Sequence, residues 1–163
     1  MINNSLDDRP NVIVFPPLIL IATILLAALL QWTMPLGVFA TIDRSLRIAI
    51  GGMLMAIGAA LTIAGAKALI RHGTNVNPLR PALTLTTNGI YRWTRNPMYD
   101  GGAPMMLGLA LMFACDWLLL LMVPNYLVLY FGVIRREERY LERKFGAPYR
   151  RYCAQVPRHL LPR

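Results

Sequence analysis

The sequence predicts an all-α integral membrane protein with about four transmembrane helices. Of its 163 residues, 56% are hydrophobic and only 15% are charged, and the mean hydropathy is +0.45. An ordinary soluble domain carries about 25% charged residues. The net charge is nevertheless +9, so the basic residues must lie outside long apolar runs. A chain of this length holds one domain, which we assign to residues 1–163.

Four apolar segments are candidates to cross a bilayer. They run from Val12 to Trp32, Leu46 to Ile70, Met98 to Cys115 and Trp117 to Ile134. A transmembrane helix needs about 20 mainly apolar residues, and the first, second and fourth segments provide them. The third segment is short and is followed almost at once by the fourth. We therefore expect these two to form a tight helical hairpin.

The first segment is expected to be a helix of the mature protein. A secretory signal peptide begins with a basic stretch, whereas the preceding residues carry Asp7 and Asp8 beside a single Arg9. The predicted organisation is two N-terminal spans (1–70), a loop (71–97), a hairpin (98–134) and a cytoplasmic tail (135–163). The tail is expected to continue the fourth helix until Gly146 and Pro148 end it, and to pack back over the loop as a C-terminal helix and cap.

The basic residues predict the orientation in the membrane. Of the 17 Lys and Arg, five lie between residues 67 and 97 and nine lie between residues 135 and 163. Because loops rich in Lys and Arg stay in the cytoplasm, the loop, the tail and both termini are expected on that side of an inner or cytoplasmic membrane. The positive tail lies beside the bilayer, so anionic lipid headgroups are expected as its partners rather than nucleic acid.

Small residues recur along the second segment. Gly51, Gly58 and Gly65 are spaced seven residues apart, and small residues at such spacings let helix backbones approach closely in lipid. The pattern predicts tight packing inside the bundle or, alternatively, a dimer seam. The oligomeric state stays open.

The loop from Arg71 to Gly102 is a candidate functional segment. Loops of this length are usually functional or disordered, and this one combines aromatic residues with Arg, Asn and Thr. Trp93 and Tyr99 could instead be interface anchors at the level of the lipid headgroups.

Two adjacent acidic residues follow the fourth apolar segment. A charged Glu at the membrane boundary is costly unless it has a partner, so Glu137 and Glu138 are site candidates. Neighbouring helix positions point about 100° apart, and we expect Glu138 to meet Arg135 or an arginine of the loop. The alternative is a solvated helix with surface salt bridges. No Cys and His cluster has metal-binding spacing, so no metal is expected.

Two motifs in the second half of the chain resemble those of membrane methyltransferases related to isoprenylcysteine carboxyl methyltransferase and phospholipid N-methyltransferase. The first is NGIYRWTRNPMYDGG, before the hairpin, and the second is REERYLERKFGAPYRRYCAQVP, after it. Asn96 stands where that family often has His, and Ile90 where it often has Pro.

The resemblance implies S-adenosyl-L-methionine as the cofactor, at the cytoplasmic face of the membrane. Arg92 or Arg95 could hold its carboxylate by two hydrogen bonds, while Glu137 or Glu138 could accept from its amino group or ribose. The cofactor-binding residues that it implies are Tyr91, Arg92, Arg95, Asn96, Pro97, Tyr99, Gly101, Glu137 and Glu138.

The resemblance leaves the methyl acceptor open between an isoprenylcysteine-like carboxylate, a phospholipid amine and a thiol. An amine or thiol needs a base, for which either glutamate of the pair, Glu137 or Glu138, or else Tyr149 could serve. A carboxylate acceptor needs no base, and Arg151 could position that carboxylate. The rival hypotheses are an NADPH-dependent membrane reductase of related fold and a non-enzymatic membrane scaffold.

Overall fold

A computed structural model of the protein describes residues 8–160, and this part of the chain is built from helices without any strand. The α-helices are α1 (Pro16–Thr33), α2 (Arg44–Arg71), α3 (Pro97–Met112), α4 (Asp116–Leu129), α5 (Arg135–Phe145) and α6 (Ala147–Gln155). A π-helical turn, Tyr130–Ile134, joins α4 to α5. The predicted all-α fold is confirmed, as is the hairpin of α3 and α4.

Within residues 8–160, three helices are long and apolar enough to cross a membrane: Pro16–Thr33, Arg44–Arg71 and the continuous helix Asp116–Phe145. The third predicted span, α3, has only 16 residues, which is short for a full crossing. A fourth crossing therefore stays a prediction.

The helix ends follow from local chemistry. The Asp43 side chain accepts a hydrogen bond of 3.0 Å from the Leu46 amide and so caps α2, because the first amides of a helix lack partners within it. Gly146 has a φ of +59°, a conformation that glycine adopts without a steric penalty. It ends α5 after Phe145, and Pro148 lies in the first turn of α6.

The three regularly spaced glycines of α2 are buried against α3. A Cβ added to Gly51 would lie 2.7 Å from the Gly108 carbonyl oxygen, and one added to Gly65 would lie 2.8 Å from Met98 Cγ. Gly58 faces Gly101 in the same way. The spacing therefore serves packing inside the bundle, as the first alternative predicted.

The tail folds back over the loop that precedes α3. Tyr149, Tyr152 and Val156 form a small buried cluster with Leu85 packed against it. The Tyr152 hydroxyl donates to the Tyr91 carbonyl over 2.7 Å. The predicted C-terminal helix and cap is thus present, and it closes one side of the cavity described next.

Candidate active site

A cavity of about 840 Å³ lies between the loop, the hairpin and the tail. One part of its wall carries Arg95, Tyr99, Glu137 and Glu138. The part contributed by the spanning helices is mostly apolar, and it includes Ile19, Leu20, Met105, Met106, Met122 and Val123. A single cavity therefore offers polar contacts on one side and a lining suited to a hydrocarbon chain on the other.

Glu138 holds the polar wall together. Its carboxylate lies 3.0 Å from Arg95 Nη1 and accepts bonds of 3.0 and 2.7 Å from Arg158 Nε and Nη2. The Glu138 side chain is only 15% exposed, so its charge depends on these partners. Of the two partners expected for Glu138, Arg135 or an arginine of the loop, the structure shows the loop residue Arg95. Hydrogen bonding to Glu138 in turn raises the pKa of Arg158.

Glu137 takes a different partner from its neighbour, as the helical geometry predicted. It accepts a hydrogen bond of 3.0 Å from the Tyr99 hydroxyl, and both side chains line the cavity. Tyr91 also lines it and is buried. Burial raises the pKa of Tyr91, so its phenol stays neutral and can donate or accept a hydrogen bond or serve as an apolar wall.

Two buried polar atoms of cavity-lining residues have no hydrogen-bond partner: Thr86 Oγ1 and Arg95 Nε. Thr86 is only 5% exposed. Nearly all buried polar groups in proteins are hydrogen-bonded, so these two atoms are available to bond a ligand in the cavity. The sequence does not single out Thr86, since nothing in the run LTLTT distinguishes it from its neighbours.

The short run Arg95–Asn96–Pro97 fixes the tail at the cavity. The Arg95 amide donates to the Pro157 carbonyl over 3.0 Å, and Asn96 Nδ2 donates to the Arg158 carbonyl over 3.1 Å. Pro97 begins α3, a position where its missing N–H costs nothing. All three residues line the cavity, but the Asn96 amide group serves to hold the tail.

Three of the predicted site residues lie elsewhere. Arg92 and Arg151 are exposed and do not line the cavity. In α6 the buried side of the helix carries Tyr149 and Tyr152, which turns Arg151 outward. Gly101 is buried against Gly58 and Thr62 of α2, so it packs the two helices together and does not line the cavity.

Tyr149 lines the cavity, but its environment does not suit the role of a base. Burial, followed by the charge of Glu138, raises its pKa. Its phenol is therefore protonated near neutral pH, and the group can donate a hydrogen bond more readily than accept a proton.

Comparison with known proteins identifies the family of the chain. The family model described as phospholipid methyltransferase matches residues 46–148, which is more than half of the chain. No curated protein and no solved structure matches the chain. The matched region contains all but the first two residues of α2, together with α3, α4, the loop with Arg95, and both glutamates. The chain therefore belongs to the phospholipid methyltransferase family of membrane methyltransferases.

Proposed function

We propose that the protein transfers a methyl group from S-adenosylmethionine to a lipid-tailed acceptor at the cytoplasmic face of the membrane. The observation that carries this proposal is the single cavity with a charged wall and an apolar wall. When bound, S-adenosylmethionine supplies a methyl group activated by its positive sulfur.

The charged wall fits the polar groups of this cofactor. Arg95 Nε is a buried donor without a partner, and a carboxylate is the group that an arginine binds best. Glu137 and Glu138 can accept from an amino group or from ribose hydroxyls. The hydroxyl of Thr86 can bond either kind of group, and the rings of Tyr91 and Tyr99 offer flat surfaces for an adenine.

The apolar wall fits the acceptor. Side chains of α1, α3 and α4 contribute to it, so an acyl or prenyl chain could lie between these helices while its headgroup meets the cofactor. The family name favours a phospholipid, and an isoprenylcysteine-like carboxylate or a thiol is the alternative. Holding both reactants in one dry site accounts for a large part of the rate of such a transfer.

Cofactor binding is the first test of this function. We expect the protein, purified in detergent, to bind S-adenosylmethionine and S-adenosylhomocysteine saturably in a calorimetric titration. NADPH, as the control ligand, should not bind. Binding of NADPH alone would identify a reductase, and a folded protein that binds none of the three would be a scaffold.

Thr86→Val tests the unpartnered hydroxyl. We expect the affinity for S-adenosylhomocysteine to fall about five-fold, because one hydrogen bond contributes about 1 kcal/mol. Valine has nearly the same shape, so the thermal midpoint should not fall. Thr87→Val is the matched control, since Thr87 does not line the cavity. Equal affinities in both variants would exclude Thr86 from the site.

A further inference from the structure

Three side chains far apart in the sequence form a continuous hydrogen-bonded chain beside the cavity. Asp100 Oδ1 lies 2.6 Å from His159 Nδ1, and His159 Nε2 lies 2.9 Å from the Tyr126 hydroxyl. Asp100 is in α3, Tyr126 is in α4 and His159 is in the tail. Only Tyr126 of the three lines the cavity.

Asp100 is held in a fixed orientation. Its side chain is 8% exposed. Its other oxygen, Oδ2, accepts a hydrogen bond of 2.5 Å from Thr94 Oγ1 and one of 3.3 Å from the Leu160 amide. A carboxylate accepts from the N–H of a neighbouring imidazole, so His159 carries its proton on Nδ1. Nε2 is then the acceptor that faces the Tyr126 hydroxyl.

This order of groups suits the removal of a proton from the cavity. Tyr126 reaches the cavity, the Nε2 atom of the imidazole behind it can accept the proton, and the carboxylate stabilises the imidazolium that forms. The His159 side chain is 25% exposed, so the proton can then leave to solvent.

We propose that Tyr126, His159 and Asp100 form a relay that deprotonates an ammonium group of the acceptor. The inference rests on the proposed methyl transfer and specifies the base for it. A proton moves from the acceptor nitrogen to Tyr126 Oη as the Tyr126 hydroxyl proton moves to His159 Nε2. The nitrogen lone pair is then free to bond the methyl carbon as the bond between that carbon and sulfur breaks.

In this relay Tyr126 is the catalytic residue, and His159 and Asp100 act through it. The other charged or titratable neighbours of Tyr126 are Tyr130, Arg158 and Glu138. Arg158 is neutralised by its ion pair with Glu138, and it also donates to the Tyr130 hydroxyl over 3.0 Å. Tyr130 is therefore engaged away from His159, which leaves Asp100 as the charge that governs the imidazole.

The test measures methylation of phosphatidylethanolamine in mixed micelles with labelled S-adenosylmethionine, as a function of pH. In Tyr126→Phe and His159→Gln we expect the rate at neutral pH to fall about 100-fold, the usual contribution of a general base. The rate should recover at alkaline pH, where the amine loses its proton without help. The affinity for S-adenosylhomocysteine should not change.

His72→Gln is the matched control, because His72 is outside the cavity lining and bonds the Ala68 carbonyl. It should retain the activity and pH profile of the unaltered protein. A readout independent of turnover is the nitrogen NMR spectrum of labelled histidine. We expect His159 to appear as the Nδ1–H tautomer, and Tyr126→Phe to shift its Nε2 resonance.

The outcomes separate this inference from the proposed function. Failure of the unaltered protein to bind S-adenosylhomocysteine would overturn both. Normal binding without methylation of phosphatidylethanolamine would overturn the relay alone, and so would variants with an unchanged rate and pH profile. Loss of cofactor affinity in Tyr126→Phe would also overturn it, since the hydroxyl would then support the fold or the cofactor site and not proton removal.

Discussion

Glu138→Gln is expected to lower the affinity for S-adenosylhomocysteine about 100-fold. The carboxylate holds Arg95 and Arg158 at the cavity. The amide of the substituted glutamine is neutral, so the positive charges of both guanidinium groups would be left without a counter-charge. Removing one member of a buried, hydrogen-bonded charge pair costs about 3 kcal/mol, which corresponds to two powers of ten in a dissociation constant. Calorimetric titration of the purified variant measures the loss.

Glu142→Gln is the matched control for this substitution. Glu142 lies one turn further along α5, and its side chain is 51% exposed. Its Oε1 atom is 3.9 Å from Arg150 Nη1. Exposed ion pairs of this kind contribute little to stability, so the control should bind the cofactor normally. If a folded Glu138→Gln protein bound as tightly as the control, Glu138 would have no place in the site.

Gly58→Ala is expected to lower the thermal midpoint of the protein by about 10 °C. The new Cβ would collide with the Gly101 carbonyl oxygen and come within 2.5 Å of Met105 Cγ and 3.0 Å of the Met105 amide. Side-chain rotation cannot relieve contacts with backbone atoms, so α2 and α3 must separate. Overpacking of this kind costs about 3 kcal/mol, and each kcal/mol shifts the midpoint by about 2–4 °C in a chain of this size.

Gly52→Ala is the control for Gly58→Ala in the same helix. A Cβ at Gly52 would meet nothing within 4 Å, and alanine favours a helix over glycine by about 1 kcal/mol. The two substitutions should therefore change the midpoint in opposite directions. Circular dichroism in detergent follows both, and similar midpoints would show that α2 and α3 do not depend on this close approach.

The packing of α2 on α3 also bears on the site. Pro97 and Tyr99 lie in the first turn of α3, and Gly65 packs against Pro97. A displacement of α3 would move the Tyr99 hydroxyl away from Glu137. We therefore expect Gly58→Ala to weaken cofactor binding as well as to lower stability.

The sequence determined the helices of this protein because hydropathy and helix ends are local properties. The predicted third segment, Met98 to Cys115, corresponds to α3 (Pro97–Met112), and Gly146 ends α5 as expected. The glycine spacing in α2 predicted its packing, since the side chains of one helix face recur in the sequence. The paired motifs predicted the methyltransferase family, which the matching family model confirms.

The sequence predicted that Glu138 meets Arg135 or an arginine of the loop, but only the tertiary structure decided which polar groups of the tail meet the rest of the site. Arg158 reaches Glu138, and His159 reaches Asp100, only because the tail folds back over the loop. The same fold leaves Thr86 Oγ1 buried without a partner and turns Arg92 and Arg151 outward. Contacts between residues 20 to 60 positions apart depend on how the tail packs against the loop and the hairpin, and no local pattern of the sequence encodes the position of the tail.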